Sequence, residues 1–268
     1  MRRESALSDE LLDSDGDDQV ARSRAPAVAR AATVLRLLAR ERGGLGVTEI
    51  ARRVGLVPST CFHVLRALVE EGFIKFDLEN KTYATGVGLL TLVRDAMANS
   101  EYPKIVQPAL DALALQNRVT AVAVELDSRQ RMVVVALSRS DSIVSLHVNV
   151  GSRFPALISA TGRCVAAASK GSREELKARF EELRWEKAPR FEDWYADVER
   201  TRREGVALDR GNYIRGITVM ATLIPEGPDR AVRGIAAIGL DHHMTEKSLQ
   251  QLRDNLLESA RTTGAQLH

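Results

Sequence analysis

VTEIARRVGLVPSTCFHVLRALVEEGFIKFDLENKTYATGVGLLTL, residues 47–92, decides the fold of the first third of the chain. Thr48 can cap a short helix that Gly55 ends, and Pro58 opens a second helix that Gly72 ends. Apolar residues at helical spacing give each helix an inward side, with Ile50, Ala51 and Val54 in the first and Cys61, Leu65, Leu68 and Val69 in the second. Because a turn of only three residues separates the helices, the pattern predicts a helix-turn-helix.

Two short runs that follow the second helix predict a β-hairpin. FIKF (73–76) and KTYA (81–84) have the residue types of strands, and the turn-forming DLEN separates them. An amphipathic helix is also predicted to begin at Pro26. Three helices and a hairpin predict a winged helix-turn-helix over residues 25–85. A three-helix unit that only packs or binds another protein has the same geometry and remains an alternative.

The inward stripe of the second helix fixes which of its residues face outward. On its N-terminal half these are Ser59, Thr60, Phe62, His63 and Arg66. A helix of this kind enters the major groove of DNA, where hydroxyl groups reach phosphate or base, Arg66 can bind guanine and Phe62 can touch a thymine methyl group. A lone exposed histidine is often only a surface residue, so the assignment of His63 depends on its position alone.

Basic charge is concentrated in the same segment. Residues 22–86 carry eleven Lys or Arg against six Asp or Glu, whereas residues 1–21 carry two against seven. Counterion release would favour binding of the positive segment to a polyanion, although a solvated helical surface explains the charge as well. Lys75 and Lys81 of the hairpin could lie on the sugar-phosphate backbone, a contact that positions a protein without specifying sequence. The acidic residues 1–24 are predicted to be a disordered leader.

Length and composition fit two domains of a cytoplasmic protein. The chain has 268 residues, of which 44% are hydrophobic. Cys61 and Cys164 stand in apolar surroundings without metal-ligand spacing, so we predict no disulfide framework, no metal site and no cofactor. The chain also lacks an apolar run long enough for a transmembrane helix or a secretory signal. We therefore expect no membrane partner.

A linker helix is predicted over residues 86–101, behind the hairpin. Its apolar stripe consists of Val87, Leu90, Val93, Ala96 and Met97. This side could pack against the neighbouring core or against a second subunit.

Residues 102–268 combine strands and helices. After a helix that begins near Lys104, strands are predicted at 119–126, 132–137, 143–150, 217–224 and 234–240, and helices at 159–169, 173–183, 191–204 and from Thr245 onward. Strands and helices grouped in this way predict an antiparallel sheet with flanking helices, and hence an α+β domain.

Three stretches of the chain resemble the IclR family of transcriptional regulators. The stretch quoted first is similar to that family's DNA-binding half, and GSRFPALISATGRCVAA, from Gly151, and REGVALDRGNYIRGITVMATLIP, from Arg203, resemble its two effector-domain signatures. The resemblance implies a GAF-like sensing fold with a small-molecule pocket beside residues 159–162. It also implies a dimer, or a dimer of dimers, that binds pseudo-palindromic double-stranded operator DNA. At the helix position where the family usually presents arginine, this chain has His63, and Arg66 lies one turn further on.

The resemblance also implies which positions bind the effector. They are Leu146, Ala160, Thr161, Asp209, Val219, Gly239 and Asp241. At some of these positions the family often has thiol and hydroxyl groups that can bind a small carboxylate. In this chain Val219 and Gly239 cannot form such hydrogen bonds, and the Asp241 carboxylate would repel an anion. We therefore expect an aromatic or amide-like effector that is bulkier and less anionic than a small keto acid. Asp241 could equally be a helix-capping carboxylate, whereas the family match favours the pocket for Asp209.

These features predict a sequence-specific transcriptional regulator whose DNA affinity is controlled by a small-molecule effector. A ligand-independent architectural DNA-binding protein is the alternative, and no compound would alter its DNA affinity. An enzyme would have to assemble Cys164, His147 and aspartates into a nucleophilic site. The surroundings of Cys164 are typical of a small buried hydrophobe, and the sequence has no nucleophile elbow, metal pair or phosphate loop. We therefore expect no catalytic role.

Overall fold

A computed structural model describes residues 25–139, 148–225 and 232–267, and the described chain divides into two compact units between Ser100 and Glu101. The predicted leader, residues 1–24, lies outside the described residues. So does most of the strand predicted at 143–150, including Leu146 and His147.

The N-terminal unit contains the predicted winged helix-turn-helix and one further helix. In chain order its elements are α1 (Pro26–Arg40), α2 (Val47–Arg53), α3 (Pro58–Glu70), β1 (Ile74–Asp77), β2 (Thr82–Thr85) and α4 (Gly88–Asn99). β1 and β2 pair antiparallel, with Phe76 opposite Tyr83. The inward stripes of α1, α2 and α3 form one core that buries Leu38, Ile50 and Leu65. The predicted fold of this unit is therefore confirmed.

Two glycines in the left-handed backbone region end α2 and α3. Gly55 has φ +65°, and the N–H group after it, on Leu56, donates to the Ala51 carbonyl oxygen at 2.9 Å. Gly72 has φ +71°, and the chain then turns so that Phe73 N–H donates to a carbonyl of the last turn of α3. Only glycine adopts this conformation without steric cost, and the pattern satisfies carbonyls that a helix end leaves unpaired. The tight turn between α2 and α3 follows from the first of these glycines.

The C-terminal unit is an antiparallel sheet covered by helices. Its elements are α5 (Glu101–Asn117), β3 (Thr120–Leu126), β4 (Arg131–Arg139), β5 (Arg153–Pro155), α6 (Ser159–Ala168), α7 (Arg173–Glu181), α8 (Phe191–Glu204), β6 (Val206–Arg210), β7 (Ile217–Leu223), β8 (Arg233–Leu240) and α9 (Glu246–Gln266). The strand order is β5-β4-β3-β8-β7-β6, and all neighbours are antiparallel.

Both faces of this sheet are buried. On one side, here called the α9 face, α5 and α9 pack with residues such as Leu110 and Leu256. On the other, the α6 face, α6 and α8 pack with residues such as Ala160 and Trp194. Alternate residues of each strand point to opposite faces, so a residue's place in the register decides which layer it joins.

Among the described residues, the structure differs from the sequence-based prediction at several points. β5 and β6 were not predicted, because each is a short strand at an edge of the sheet. α5 begins at Glu101 rather than near Lys104, because Pro103 lies in the first turn of the helix, where no backbone N–H is needed. Tyr102, expected between two helices, is instead buried, and its hydroxyl donates to the Gly234 carbonyl oxygen at 2.8 Å.

Candidate nucleic-acid interface and effector site

The predicted reading residues lie on the outer side of α3. Ser59, His63 and Arg66 are exposed and recur at successive turns of the helix, and the Phe62 side chain beside them is 47% exposed. Thr60 is half-buried. The opposite side of α3 supplies the buried Cys61, Leu65 and Leu68. The structure therefore brings the five residues predicted on α3 to the outer side of the helix.

The Arg66 side chain forms an ion pair with a neighbour on the same helix. Its Nε donates to Glu70 Oε1 at 3.0 Å, one turn further along α3, and both side chains remain largely exposed. The stripe from Ser59 to Arg66 thus continues into an acidic residue, Glu70, which was not among the predicted site residues.

The two hairpin lysines are exposed and flank an ordered turn. Asp77 Oδ1 accepts hydrogen bonds from the backbone N–H groups of Glu79 (2.9 Å) and Asn80 (3.1 Å). The Asn80 side chain also donates to Asp77, and this bond, with the two backbone bonds, lowers the pKa of Asp77. The turn carboxylate is therefore already bonded within the turn, and Lys75 and Lys81 stand on either side of it.

Part of the basic charge in the N-terminal unit is neutralised within the unit. Hydrogen bonds from Arg52 and Arg53 lower the pKa of Glu49 to about 2. Arg53 also forms an ion pair with Glu41 at 2.7 Å. Arg52 and Arg53 are therefore less available to DNA phosphate than their charge suggests. The outer side of α3 and the hairpin are the better candidates for the DNA-binding surface.

In the C-terminal unit, several positions implied by the family resemblance meet on the α6 face. Ala160 and Thr161 are buried at the start of α6. Asp209 on β6 is opposite Val219 on β7, which is opposite Ile238 on β8. Directly opposed residues in a sheet share a face, so the three side chains form one row.

Gly239 and Asp241 do not join that row. Gly239 is opposite Thr218, and a Cβ atom built on it would meet Val119 and Met244, which belong to the α9 face. Asp241 is exposed in the short 3-10 turn after β8, and its Oδ1 accepts a hydrogen bond from the Thr218 hydroxyl at 2.7 Å. A shift of one residue along a strand moves a side chain to the other face. The residue of β8 beside Val219 is therefore Ile238.

Arg163 on α6 is the central buried charge of this face, at 1% exposure. Its Nη1 donates to the Ser159 carbonyl oxygen at 3.0 Å, and its Nη2 donates to Asn212 Oδ1 at 3.0 Å. Its Nε donates to Asp197 Oδ2 at 3.2 Å, and Asp209 Oδ2 lies 3.8 Å from Nη1. All three nitrogens of the guanidinium are thus engaged. Sequence reasoning missed Arg163, since its partners lie on distant segments.

Two residues that contact this arginine have buried oxygen atoms that make no hydrogen bond with any described residue. They are Ser159, through Oγ, and Asp209, through Oδ2. Ser159 also has φ +59°, an unfavourable backbone conformation for a residue with a side chain. Buried polar groups are nearly always paired, and strained residues cluster at functional sites. This part of the α6 face is therefore the candidate ligand site of the C-terminal unit.

Cys164 points into the core of the same face. Burial raises the pKa of its thiol to about 12, and Sγ lies 3.2 Å from the Ala221 carbonyl oxygen. A thiol that resists ionisation is a poor nucleophile, so packing explains this residue better than reactivity does.

The fold and these two surfaces define a DNA-binding transcriptional regulator with a winged helix-turn-helix and a separate C-terminal domain. Residues 27–78 match the IclR helix-turn-helix domain, and residues 95–265 match the C-terminal domain of bacterial IclR transcriptional regulators. The chain belongs to the IclR family.

Known relatives agree with this assignment. The chain is 27% identical over 247 residues to the HTH-type transcriptional regulator BhcR of Paracoccus denitrificans, covering 88% of this chain and 85% of BhcR. The crystal structure of an IclR transcriptional regulator from Alicyclobacillus acidocaldarius superposes with a TM-score of 0.79 at 25% identity, covering 91% of this chain and 99% of that one.

A further neighbour is an IclR homologue from Microbacterium hydrocarbonoxydans in complex with 4-hydroxybenzoate. It has a TM-score of 0.70 and 19% identity, and covers 90% of this chain and 99% of its own. At 19% identity, this similarity supports the shared fold alone.

In the part of the chain that the structure describes, no helix is long and apolar enough to span a bilayer.

Proposed function

We propose that α3 reads operator DNA in the major groove and that a small molecule bound on the α6 face controls the DNA affinity. In this proposal Ser59, Thr60, Phe62, His63 and Arg66 meet the bases and adjacent phosphates. Lys75 and Lys81 lie on the sugar-phosphate backbone and fix the orientation of the unit.

The observation that carries the DNA-binding half of the proposal is the division of α3 into two sides. Cys61, Leu65 and Leu68 are buried in the core. On the other side of the helix, four of the five proposed reading residues are exposed, and the fifth, Thr60, is half-buried. A recognition helix needs this arrangement, because its base-reading residues must enter the groove without opening the core.

An electrophoretic mobility shift on the intergenic DNA upstream of the protein's own gene tests this half, at one stated salt concentration. Arg66→Ala is expected to weaken specific binding by about 1–3 kcal/mol if Arg66 contacts guanine with two hydrogen bonds. The control is Arg129→Ala, which removes an exposed arginine from the C-terminal unit. Unchanged affinity for Arg66→Ala would remove Arg66 from the reading set, and no sequence preference for any DNA would refute the proposal.

We further propose that the effector has an apolar body and a hydrogen-bond donor, and carries little negative charge. Val219 and Ile238 offer apolar contacts, and Asp209 Oδ2 offers an acceptor. An anion would meet this carboxylate, and Arg163 already bonds other partners. The Microbacterium homologue holds 4-hydroxybenzoate. Its ring and its hydroxyl donor are the features proposed for the effector of this chain, whereas its carboxylate is not, because of Asp209.

Ligand binding can be measured by tryptophan fluorescence, because the chain has two tryptophans, Trp185 and Trp194, and both are in the C-terminal unit. We expect 4-hydroxybenzamide to bind more tightly than glyoxylate. Asp209→Asn should weaken the binding of 4-hydroxybenzamide at least tenfold, as expected for the loss of a hydrogen bond to a charged group. Asp241→Asn is the matched control and should leave binding unchanged, since Asp241 lies away from the α6 face.

Three results would count against this effector proposal. Preferential binding of glyoxylate would contradict the proposed ligand chemistry. Equal losses for Asp209→Asn and Asp241→Asn would contradict the placement of the ligand. If no compound changes DNA affinity or melting temperature, the protein binds DNA without a ligand.

We also propose that α4 joins two copies of the chain and carries the signal between effector and DNA. No residue of α4 is buried, and Leu90, Leu92, Val93 and Met97 are exposed along it. Pairing through α4 would hold two α3 helices at a fixed separation, as a pseudo-palindromic operator requires. Effector binding would then shift the dimer between arrangements that do or do not match the operator spacing.

A further inference from the structure

We propose that Glu70 positions the Arg66 guanidinium for guanine recognition and is thereby a specificity-determining residue of α3. The inference rests on the proposed function, since it requires α3 to lie in the major groove. It adds an acidic residue to a reading surface that the sequence predicted from basic, hydroxyl and aromatic side chains alone.

The contact between the two residues leaves the arginine able to bind a base. Glu70 Oε1 accepts from Nε of Arg66 at 3.0 Å, and no described residue accepts from Nη1 or Nη2. The guanidinium is held at one edge, while its far edge carries two parallel N–H donors. Guanine presents two acceptors, O6 and N7, at the spacing that such a pair of donors bonds.

Stability does not explain the pair. The side chains of Arg66 and Glu70 are 70% and 64% exposed, and exposed ion pairs contribute little to folding. The basic residue also precedes the acidic one along the helix, the less favourable order for a pair four residues apart. Moreover, a carboxylate on a DNA-facing stripe is repelled by phosphate. Holding Arg66 in its binding conformation offsets that repulsion, because less side-chain entropy is lost when DNA binds.

Positioning and simple repulsion predict different effects of Glu70→Ala on the ratio of specific to non-specific DNA affinity. If Glu70 only repels phosphate, its removal strengthens binding to every duplex by the same factor. If it positions Arg66, its removal strengthens binding to unrelated DNA but lowers the preference for the correct guanine. The ratio of specific to non-specific affinity therefore separates the two cases.

The experiment begins with duplexes selected by the native protein from a randomised library. Dissociation constants are measured at one salt concentration for the selected duplex, for versions with each guanine replaced, and for an unrelated duplex. For Glu70→Ala we expect the specificity ratio to fall by about fivefold, the scale of ordering one long side chain. Glu71→Ala, which removes the neighbouring exposed carboxylate but does not touch Arg66, should leave the ratio unchanged.

The double variant Arg66→Ala/Glu70→Ala completes the test. On the Arg66→Ala background, the loss caused by Glu70→Ala should vanish, because the residue to be positioned is absent. An unchanged ratio for Glu70→Ala, or an equal loss on both backgrounds, overturns the inference. If Arg66→Ala itself changes no base preference, the positioning role fails while DNA reading by other α3 residues stands. If the native protein selects no sequence, the proposed function fails as well.

Discussion

Tyr213 is a buried residue whose hydroxyl can be tested without disturbing its packing. Its Oη makes no hydrogen bond with a described residue, and burial, with a smaller contribution from Glu186, raises its pKa to about 12. The ordinary pKa of tyrosine is about 10. The folded state therefore keeps its proton at a pH where the unfolded state has lost it. Because the phenolate is less favourable in the folded than in the unfolded state, the native protein loses stability as the pH rises from about 10 to about 12.

Tyr213→Phe should consequently reduce the sensitivity of the C-terminal unit to alkali. We expect unchanged or slightly higher stability at neutral pH, because the substitution removes an unpaired buried hydroxyl and keeps the ring. As the pH rises from about 10 to about 12, the native protein should lose about 2 kcal/mol of unfolding free energy that the variant keeps, as expected for a pKa raised by roughly two units. Urea unfolding followed by tryptophan fluorescence measures both values. Tyr195→Phe, at a half-buried position, is the control, and equal alkaline losses in Tyr213→Phe and native protein would contradict the assignment.

Residues whose environment is local were predictable, and those whose partners come from distant segments were not. Cys61 and Leu65 were predicted inward from helical spacing alone, and both are fully buried. Arg163 looked like an ordinary helical arginine because its partners, Asp197 and Asn212, are 34 and 49 positions away. A single sequence contains no signal that links such positions.

At the level of elements, the sequence predicted helices better than edge strands. The helix 191–204 was predicted with the bounds it has in the structure, because aromatic and aliphatic residues recur along it and Gly205 ends it with φ +74°. β6, which follows immediately, has only five residues and alternates poorly. The register of the strands could not be predicted from the sequence either, since the pairing of Val219 with Ile238 depends on how β7 and β8 align. Gly239 was matched to an effector position through the family resemblance, whereas its position on β8 directs it to the α9 face.

The junction between α3 and the hairpin depends on close backbone packing. A Cβ atom on Gly86 would lie 2.5 Å from the Gly72 carbonyl oxygen and 3.1 Å from backbone atoms of Ile74. Backbone atoms cannot move aside as a flexible side chain can, so any added methyl group must displace the hairpin from α3.

Gly86→Ala should therefore destabilise the N-terminal unit by about 2 kcal/mol. Hydrogen exchange across residues 72–86 should be faster than in the native protein, and DNA affinity should fall because the hairpin lysines move. Gly43→Ala is the matched control, because a Cβ atom at that position meets nothing within 4 Å. Equal exchange rates in the two variants would show that the junction tolerates the methyl group.

At the scale of the whole molecule, recognition of an operator requires more than one reading unit. A single recognition helix contacts only a few base pairs, whereas two copies related by a twofold axis read two half-sites. Among the described residues, α4 has an uncovered apolar surface, with Leu90 70% exposed. Burying one leucine side chain contributes about 1.5–3 kcal/mol, and a twofold interface contains each contact twice.

Leu90→Glu should therefore weaken self-association by at least about a hundredfold, because two leucines, about 3–6 kcal/mol together, are lost from one symmetric interface and two carboxylates replace them. Sedimentation velocity over a concentration series measures the change, and a mobility shift on a full operator should show a complex with one chain in place of two. Thr91→Glu adds the same charge at the next exposed position of α4, and it should leave the association nearly unchanged because residue 91 lies off the apolar stripe. If the two variants associate alike, α4 does not form the interface. Operator spacing would then have to be set by another surface of the chain.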